Sequence, residues 1–442
     1  MLELIAAAVD DRSARGIAGA VSRLVSAGSL PGGARLPTVR ELAAILGTSP
    51  TTVSQAWRTL ARAGVIVPRG RAGTFVLESA APTVGGARRY RRVTRSPGRI
   101  GRDYSTGTPD PALLPDLAPA LARIARGNLT TSYLDDPVLP ELEKALRARW
   151  PFSPEAITVV DGAMDALDRV TGSLVGYGSR VLVENPCFPP LLDLLELVGA
   201  EVVALPSDAA GVRPDAVREA LTTRPVALYL QPRAQNPTGV SMTEHRAREL
   251  AELLAGTGVT VIEDDHAGDV ALAAPVSLGR HLPASCVHIR SFSKSHGPDL
   301  RLAAVGGVAA TVEAVATRRL LGPGWSSRLL QAVLAELLAD PATERTLAAA
   351  RARYTARRER MLAALAARGV RAVGADGINL WVDVADEQVA LVALAARGIG
   401  AAPGTPFEAA PLDGDHLRVT VGLIADELIE ATADALADAA QG

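Results

Sequence analysis

The sequence predicts two units of different class: a winged helix-turn-helix (α+β) at the N-terminus, then a larger α/β body built on a mainly parallel sheet. Three observations carry that expectation. Two short apolar helical stripes flank a Gly-bearing turn within residues 36–62. The sign of the charge reverses near residue 102. Beyond that point, short runs rich in β-branched residues alternate with helical stripes.

Composition bounds the class. The chain has 442 residues, 48% hydrophobic and 21% charged, enough for two or three domains of ordinary globular balance. No apolar run approaches the roughly 18 residues of a membrane span. The start, "MLELIAAAVDDRSARG", lacks the basic region of a signal peptide. Two cysteines, Cys187 and Cys286, are too few for a disulfide framework, so a cytoplasmic protein is expected. Residues 1–102 hold 16 Arg against 5 acidic residues, and the remainder holds 30 basic against 43 acidic. A basic end on an acidic body suggests a polyanionic partner, although a basic linker without a specific partner would give the same count. Seven of the Arg lie between Arg88 and Arg102.

In "LPTVRELAAILGTSPTTVSQAWRTLARAGVIVPRGRAGTFV", Val39, Leu42, Ala43, Ile45 and Leu46 form one apolar stripe that Gly47 stops. Ser49 suits an N-cap and Pro50 the first helical position, with Val53, Ala56, Trp57 and Leu60 as the next buried face. The second helix of such a pair enters the DNA major groove. "GVIVPRGRAGTFV" reads as two strands around a basic tip, and one more helix and a loop precede the pair. The stretch closely resembles the winged helix of the GntR regulators over about 70 residues, on the pattern LP-S/T-x-R-x-L-A-x-x-L-G-x-S-x-x-T-V. That resemblance implies that Arg40, Ser49, Thr51, Thr52 and Gln55 face double-stranded operator DNA, with Arg69 and Arg71 at the wing. Arg suits guanine or phosphate, Gln suits adenine, and hydroxyls near a helix start suit phosphate. Pro50 and Ser54 stand where relatives place arginines, so no operator sequence carries over.

Residues 1–77 are thus the expected DNA-binding domain. Residues 78–102, rich in Pro, Gly, Ala and Arg without apolar periodicity, read as a flexible basic linker.

From 103 to 442 the apolar runs "ITVVDG", "RVLVEN", "EVVALP", "VALYLQP", "VTVIEDD" and "CVHIRSFSK" read as strands with polar tips. Ligands bind outside the carboxyl ends of such strands. One tip carries Lys294. The chain has only two lysines, Lys144 on a charged helix face and Lys294, every other basic position being Arg. A lysine kept amid such a bias suits chemistry denied to Arg, since its amine can lose a proton and form a Schiff base.

Together these tips resemble the fold-type I pyridoxal-phosphate aminotransferases, from about 103 to the C-terminus, a fold that adds a smaller C-terminal subdomain. The resemblance implies pyridoxal 5'-phosphate as cofactor, Lys294 as its imine lysine and Asp264 as the anion beside the ring nitrogen. Arg301, Ser291 and Ser293 would hold the phosphate with the amides of Ala163 and Met164 at a helix start. Asn236 of "NPTG" would reach the phenolic oxygen and Phe188 would stack on the ring. Tyr133 would reach a neighbouring subunit's phosphate, and Arg418 would clamp a carboxylate. Two positions depart: Val138 replaces a Gly, and His266 stands where relatives carry a tyrosine. His266 is expected to contact the cofactor and tune the imine near neutral pH.

The order of winged helix, linker and aminotransferase-like body resembles the MocR subgroup of GntR regulators over nearly the whole chain. The resemblance implies a homodimeric transcription factor that senses a small amino compound by exchange at Lys294, or pyridoxal phosphate itself. A working aminotransferase that carries a DNA-binding domain is the rival reading.

Overall fold

The computed structural model describes residues 1–26, 28–62, 65–77, 88–94, 100–126, 132 and 135–442. In the head, Thr38 caps the helix Val39–Leu46 through a capping box. Its hydroxyl accepts from the Glu41 amide at 3.2 Å, and its own amide donates to Glu41 at 2.8 Å. Gly47 closes that helix at φ 61°. Ser49 caps the recognition helix Pro50–Arg62 by accepting the Thr52 amide at 3.0 Å. Leu42, Ala43, Leu46, Val53, Ala56, Trp57 and Leu60 are buried as read, but Ile45 is 45% exposed and leaves the stripe. The helix Ala14–Ser26 precedes the pair, and Leu2–Ala7 adds a further helix that supplies Ile5 to the core. Ile66–Pro68 and Thr74–Val76 pair antiparallel as the wing.

The span 78–102 is not linker throughout, because Arg88–Thr94 is a helix docked on the body. The Arg89 amide donates to Asp193 at 3.1 Å, its guanidinium pairs with Glu196 at 2.9 Å, and Val93 is buried beside Trp381 and Phe407. Its anchors lie on other elements, so no amphipathic period marks it in the sequence.

The body's main sheet has eight strands in the order Ala156–Val160, Ala303–Gly307, Cys286–Ser291, Thr260–Asp265, Ala227–Leu230, Arg180–Asn185, Glu201–Asp208, Gly211–Val212. All six strands read from the sequence are present, and the parallel run from Cys286–Ser291 to Glu201–Asp208 ends its strands on one side. Ala303–Gly307 pairs antiparallel with both neighbours. A second antiparallel sheet, centred on Leu380–Val384 and Asp415–Val419, forms the C-terminal subdomain against the helices Pro341–Ala366 and Ile429–Ala440.

The head rests on that subdomain. Val392 and Ala395 of the helix Glu387–Ala395 join the head's core, and a Cβ at Gly19 would stand 2.3 Å from Val389. The glycine permits this approach. Arg23 pairs with Asp386 at the rim, and Arg15 donates to the Asp438 carbonyl at 2.9 Å. Among the described residues no helix is long and apolar enough to cross a membrane.

Candidate cofactor site

The loops that leave the carboxyl ends of the parallel strands converge on Lys294, three residues beyond Cys286–Ser291. Asp264, near the end of the adjacent strand, is 5% exposed. Its Oδ2 accepts from Gln231 Nε2 at 2.8 Å, whereas its buried Oδ1 has no hydrogen-bond partner among the described residues. Burial raises the carboxyl to about 6, opposed by the Gln231 bond and the Lys294 charge, so it is an anion at neutral pH. A buried acceptor without a donor suits one from a bound group, and a protonated ring nitrogen would supply it.

Gln231 was missed in the sequence reading. Its Oε1 accepts the Asn236 amide at 2.9 Å, so one side chain aligns Asp264 with Asn236. Only its place at the end of an apolar run could have flagged it. Asn236 is buried and its Oδ1 takes Asn379 Nδ2 at 3.4 Å. Phe188 is half-buried at the start of the helix Pro189–Leu197, against the main core.

The helix Ala163–Leu174 begins with no side-chain cap. Gly162 before it sits at φ 98°, and a Cβ there would lie 3.4 Å from the Arg301 guanidinium. The uncapped amides of Ala163 and Met164, the Gly162 gap and Arg301 form a cradle of the kind that takes a phosphate. Ser291 is buried and Ser293 half-buried, the Ser293 amide donating to Ser291 Oγ at 3.3 Å. The donor set therefore fits pyridoxal phosphate. Tyr133 lies outside the described residues.

Lys294 Nζ stands 2.6 Å from His266 Nδ1. Burial brings the amine down to about 8, with Arg418 pushing the same way and Asp264 opposing. His266 is 8% exposed, and burial together with the Lys294 charge holds it well below its usual 6.5. The ring is therefore uncharged near neutral pH, and it meets Lys294 as a neutral imidazole.

Arg418 is 2% exposed, lies over the Phe407 ring at 5.5 Å and donates to the Ser105 carbonyl. Its Nε has no partner among the described residues, and burial lowers the group to about 10.

On the head, Arg40, Ser49, Thr51 and Gln55 are exposed and Thr52 is half-buried. The Ser49 and Thr52 hydroxyls also bond each other at 2.8 Å, so both serve the helix start. Arg69 lies 5.0 Å over the Phe75 ring, and the Arg71 side chain is outside the described set.

A winged helix fused to a body of aminotransferase fold defines a class, the transcriptional regulator with an aminotransferase-like domain. Residues 13–76 match the family described as bacterial regulatory proteins, gntR family, and residues 103–436 match aminotransferase class I and II. The vitamin B6 salvage pathway transcriptional repressor PtsJ of Salmonella typhimurium is 34% identical, over 96% of this chain and 98% of its own. The HTH-type transcriptional regulator TauR of Rhodobacter capsulatus is 28% identical, over 87% and 88%. Among solved structures, LysN, an α-aminoadipate aminotransferase of Thermus thermophilus, superposes with TM-score 0.71 at 25% identity, over 79% of this chain and 94% of its own. The kynurenine aminotransferase of Pyrococcus horikoshii gives 0.72 at 22%, over 79% and 92%. This chain belongs to the GntR family of transcriptional regulators, in the MocR subgroup that carries an aminotransferase-like domain.

Proposed function

We propose that this regulator holds pyridoxal phosphate on Lys294 and that its affinity for an operator follows the state of that site. The observation that carries the reading is the unpartnered, buried Oδ1 of Asp264 beside a lysine of lowered basicity. Bound there, pyridoxal phosphate supplies a carbonyl that combines reversibly with amines. Lys294 offers the resident amine, Asp264 holds a proton at the ring nitrogen, and Asn236 and Phe188 orient the ring. Arg301, Ser291, Ser293 and the amides of Ala163 and Met164 retain the phosphate. Arg418, with a free Nε, orients a carboxylate, so the favoured effector is a small amino compound that bears one.

A continuous set of contacts links that arginine to the head. Arg418 lies over Phe407, Thr405 donates to Glu387 at 2.7 Å, Glu387 accepts from Gln388 at 3.0 Å, and Gln388 accepts from Ser22 at 3.0 Å. Glu387 and Gln388 are both buried. The reading includes a cytoplasmic homodimer with residues 1–77 as DNA-binding head and 103–442 as effector body. Leu320 and Leu321, 62% and 80% exposed beside Arg319, which pairs with Asp161 next to the cradle, offer apolar surface to a second copy.

One observation favours a second reading in which pyridoxal phosphate is itself the signal: the relative matched over 98% of its length is named for vitamin B6 salvage. The test is the affinity for a duplex selected by the protein from a random pool. A change on adding pyridoxal phosphate alone supports the second reading. A change only when amino acids follow supports the first, and an affinity indifferent to both contradicts the proposal.

A further inference from the structure

We propose that His266 keeps a proton on Lys294, withholding that amine from service as a base and biasing the site towards exchanging amines rather than completing a transamination. The inference rests on the cofactor reading above.

The geometry fixes the direction of the hydrogen bond. His266 Nε2 lies 2.9 Å from the Ala234 carbonyl, which can only accept, so Nε2 carries the ring's hydrogen. In a neutral imidazole the other nitrogen is then a bare lone pair, and it faces Lys294 Nζ at 2.6 Å. Ala234 is itself fixed. It sits at φ 45°, its amide donates to Ser241 Oγ at 2.9 Å, and a Cβ at Gly377 would lie 2.8 Å from its methyl. The carbonyl that sets the tautomer therefore has little freedom to turn away.

Of the two groups, the amine holds the proton more tightly, because burial depresses the imidazole well below its usual 6.5 and leaves Lys294 at about 8. Burial works against an ammonium at Lys294 and Arg418 adds to it, whereas Asp264 and Asp265 favour the charge, and the amine keeps the higher affinity of the two groups. Asp265 is already bound by Arg233 at 2.5 Å, and Arg233 and Lys294 both disfavour a charged His266. An ammonium at Nζ donating to Nδ1 satisfies all of these groups at once. The chain of bonds then stops, because a backbone carbonyl passes no proton on. Lys294 in this form has no lone pair with which to take a proton from the α-carbon of an amino compound. A tyrosine here would present a hydroxyl able to donate, whereas His266 in this tautomer presents only an acceptor.

With two lysines in the chain, lysine labelled with 15N at Nζ gives two side-chain signals, and Lys144→Arg assigns them. The experiment follows the titration of Lys294 Nζ in the full-length, cofactor-free protein. His266→Phe should lower the midpoint by about one pH unit or more, roughly tenfold in proton affinity, as expected for a lost hydrogen bond to a charged group. His266→Gln, which retains an acceptor oxygen, should keep the midpoint near that of the wild type. Loaded with pyridoxal phosphate and given an amino acid, His266→Phe should also release keto acid faster than the wild type. Pyridoxal phosphate retained by both variants establishes that they are folded. A Lys294 midpoint unmoved in His266→Phe overturns the inference while leaving the cofactor reading intact. A wild type that retains no cofactor removes both.

Discussion

Ser22 of the DNA-binding head donates its hydroxyl to Gln388 of the body across a buried contact of 3.0 Å. The same amide side chain donates to Glu387, whose carboxylate also receives the Thr405 hydroxyl at 2.8 Å. The head is thereby joined to the segment that carries Phe407. Removing either partner takes a hydrogen bond from a buried polar group, costing about 1–3 kcal/mol, and the paired loss should fall short of the sum. A double-mutant cycle of Ser22→Ala and Gln388→Ala, read by denaturant unfolding, checks this. Both variants should also shrink the response of DNA affinity to effector.

Lys294→Ala is expected to lose the cofactor adduct that borohydride fixes to the chain, with DNA binding retained because residues 1–77 are untouched. Mass spectrometry after reduction is the check. An adduct still present in the variant would reassign the lysine.

The phosphate cradle gives a sharper substitution. Gly162 sits at φ 98° with room for a Cβ only 3.4 Å from Arg301. Gly162→Ala adds both backbone strain and a methyl in the cradle, so pyridoxal phosphate should bind at least about tenfold more weakly, equivalent to about 1.4 kcal/mol. Equilibrium dialysis measures it.

Lys294 also sets a pH dependence. Only the free amine attacks a carbonyl, so the rate at which cofactor-free protein captures pyridoxal phosphate should rise with pH through about 8 and then level. The stability sign follows from the same shift. The folded chain releases this proton at about 8 and the unfolded chain near 10.5, so between those values the unfolded state binds more protons. The group's contribution to stability therefore rises with pH across that window, and Lys294→Met should abolish the rise in urea titrations.

On the head, Arg40→Ala should weaken binding across all sequences and reduce the slope of affinity against salt by about one, as for a phosphate contact. Gln55→Ala should instead relax discrimination at one base pair, by roughly 1–3 kcal/mol. Fluorescence anisotropy at several salt concentrations separates the two.

Much of this molecule was legible because its signals are local. The capped recognition helix, the six β-branched strands and the one lysine at a strand tip each announce themselves within a dozen residues. The strand Ala303–Gly307 did not, since alanine and glycine carry no β preference and its place comes from neighbours on both sides. Gln231 was invisible as a site residue because its value lies in joining Asp264 to Asn236, a relation that exists only after folding. His266 was legible as a departure, but its neutral state follows from burial and from the Ala234 carbonyl, neither of which a sequence displays. Ile45 kept its helical period yet faces outward, since periodicity marks a face and not its depth. The docked helix Arg88–Thr94 and the contact between head and body depend wholly on partners distant in the chain.

Coupling of the cofactor site to the DNA-binding head through Lys294 is tested most directly by the dissociation constant for the selected duplex at one salt concentration. It is taken for the free protein, with saturating pyridoxal phosphate, and with pyridoxal phosphate plus a panel of amino acids, in the wild type and in Lys294→Ala. The expected result is a change at one of the two additions within the roughly 5–150-fold range of typical coupling, absent in the variant. Equal dissociation constants for wild type in all three states, with pyridoxal phosphate demonstrably bound, would contradict it.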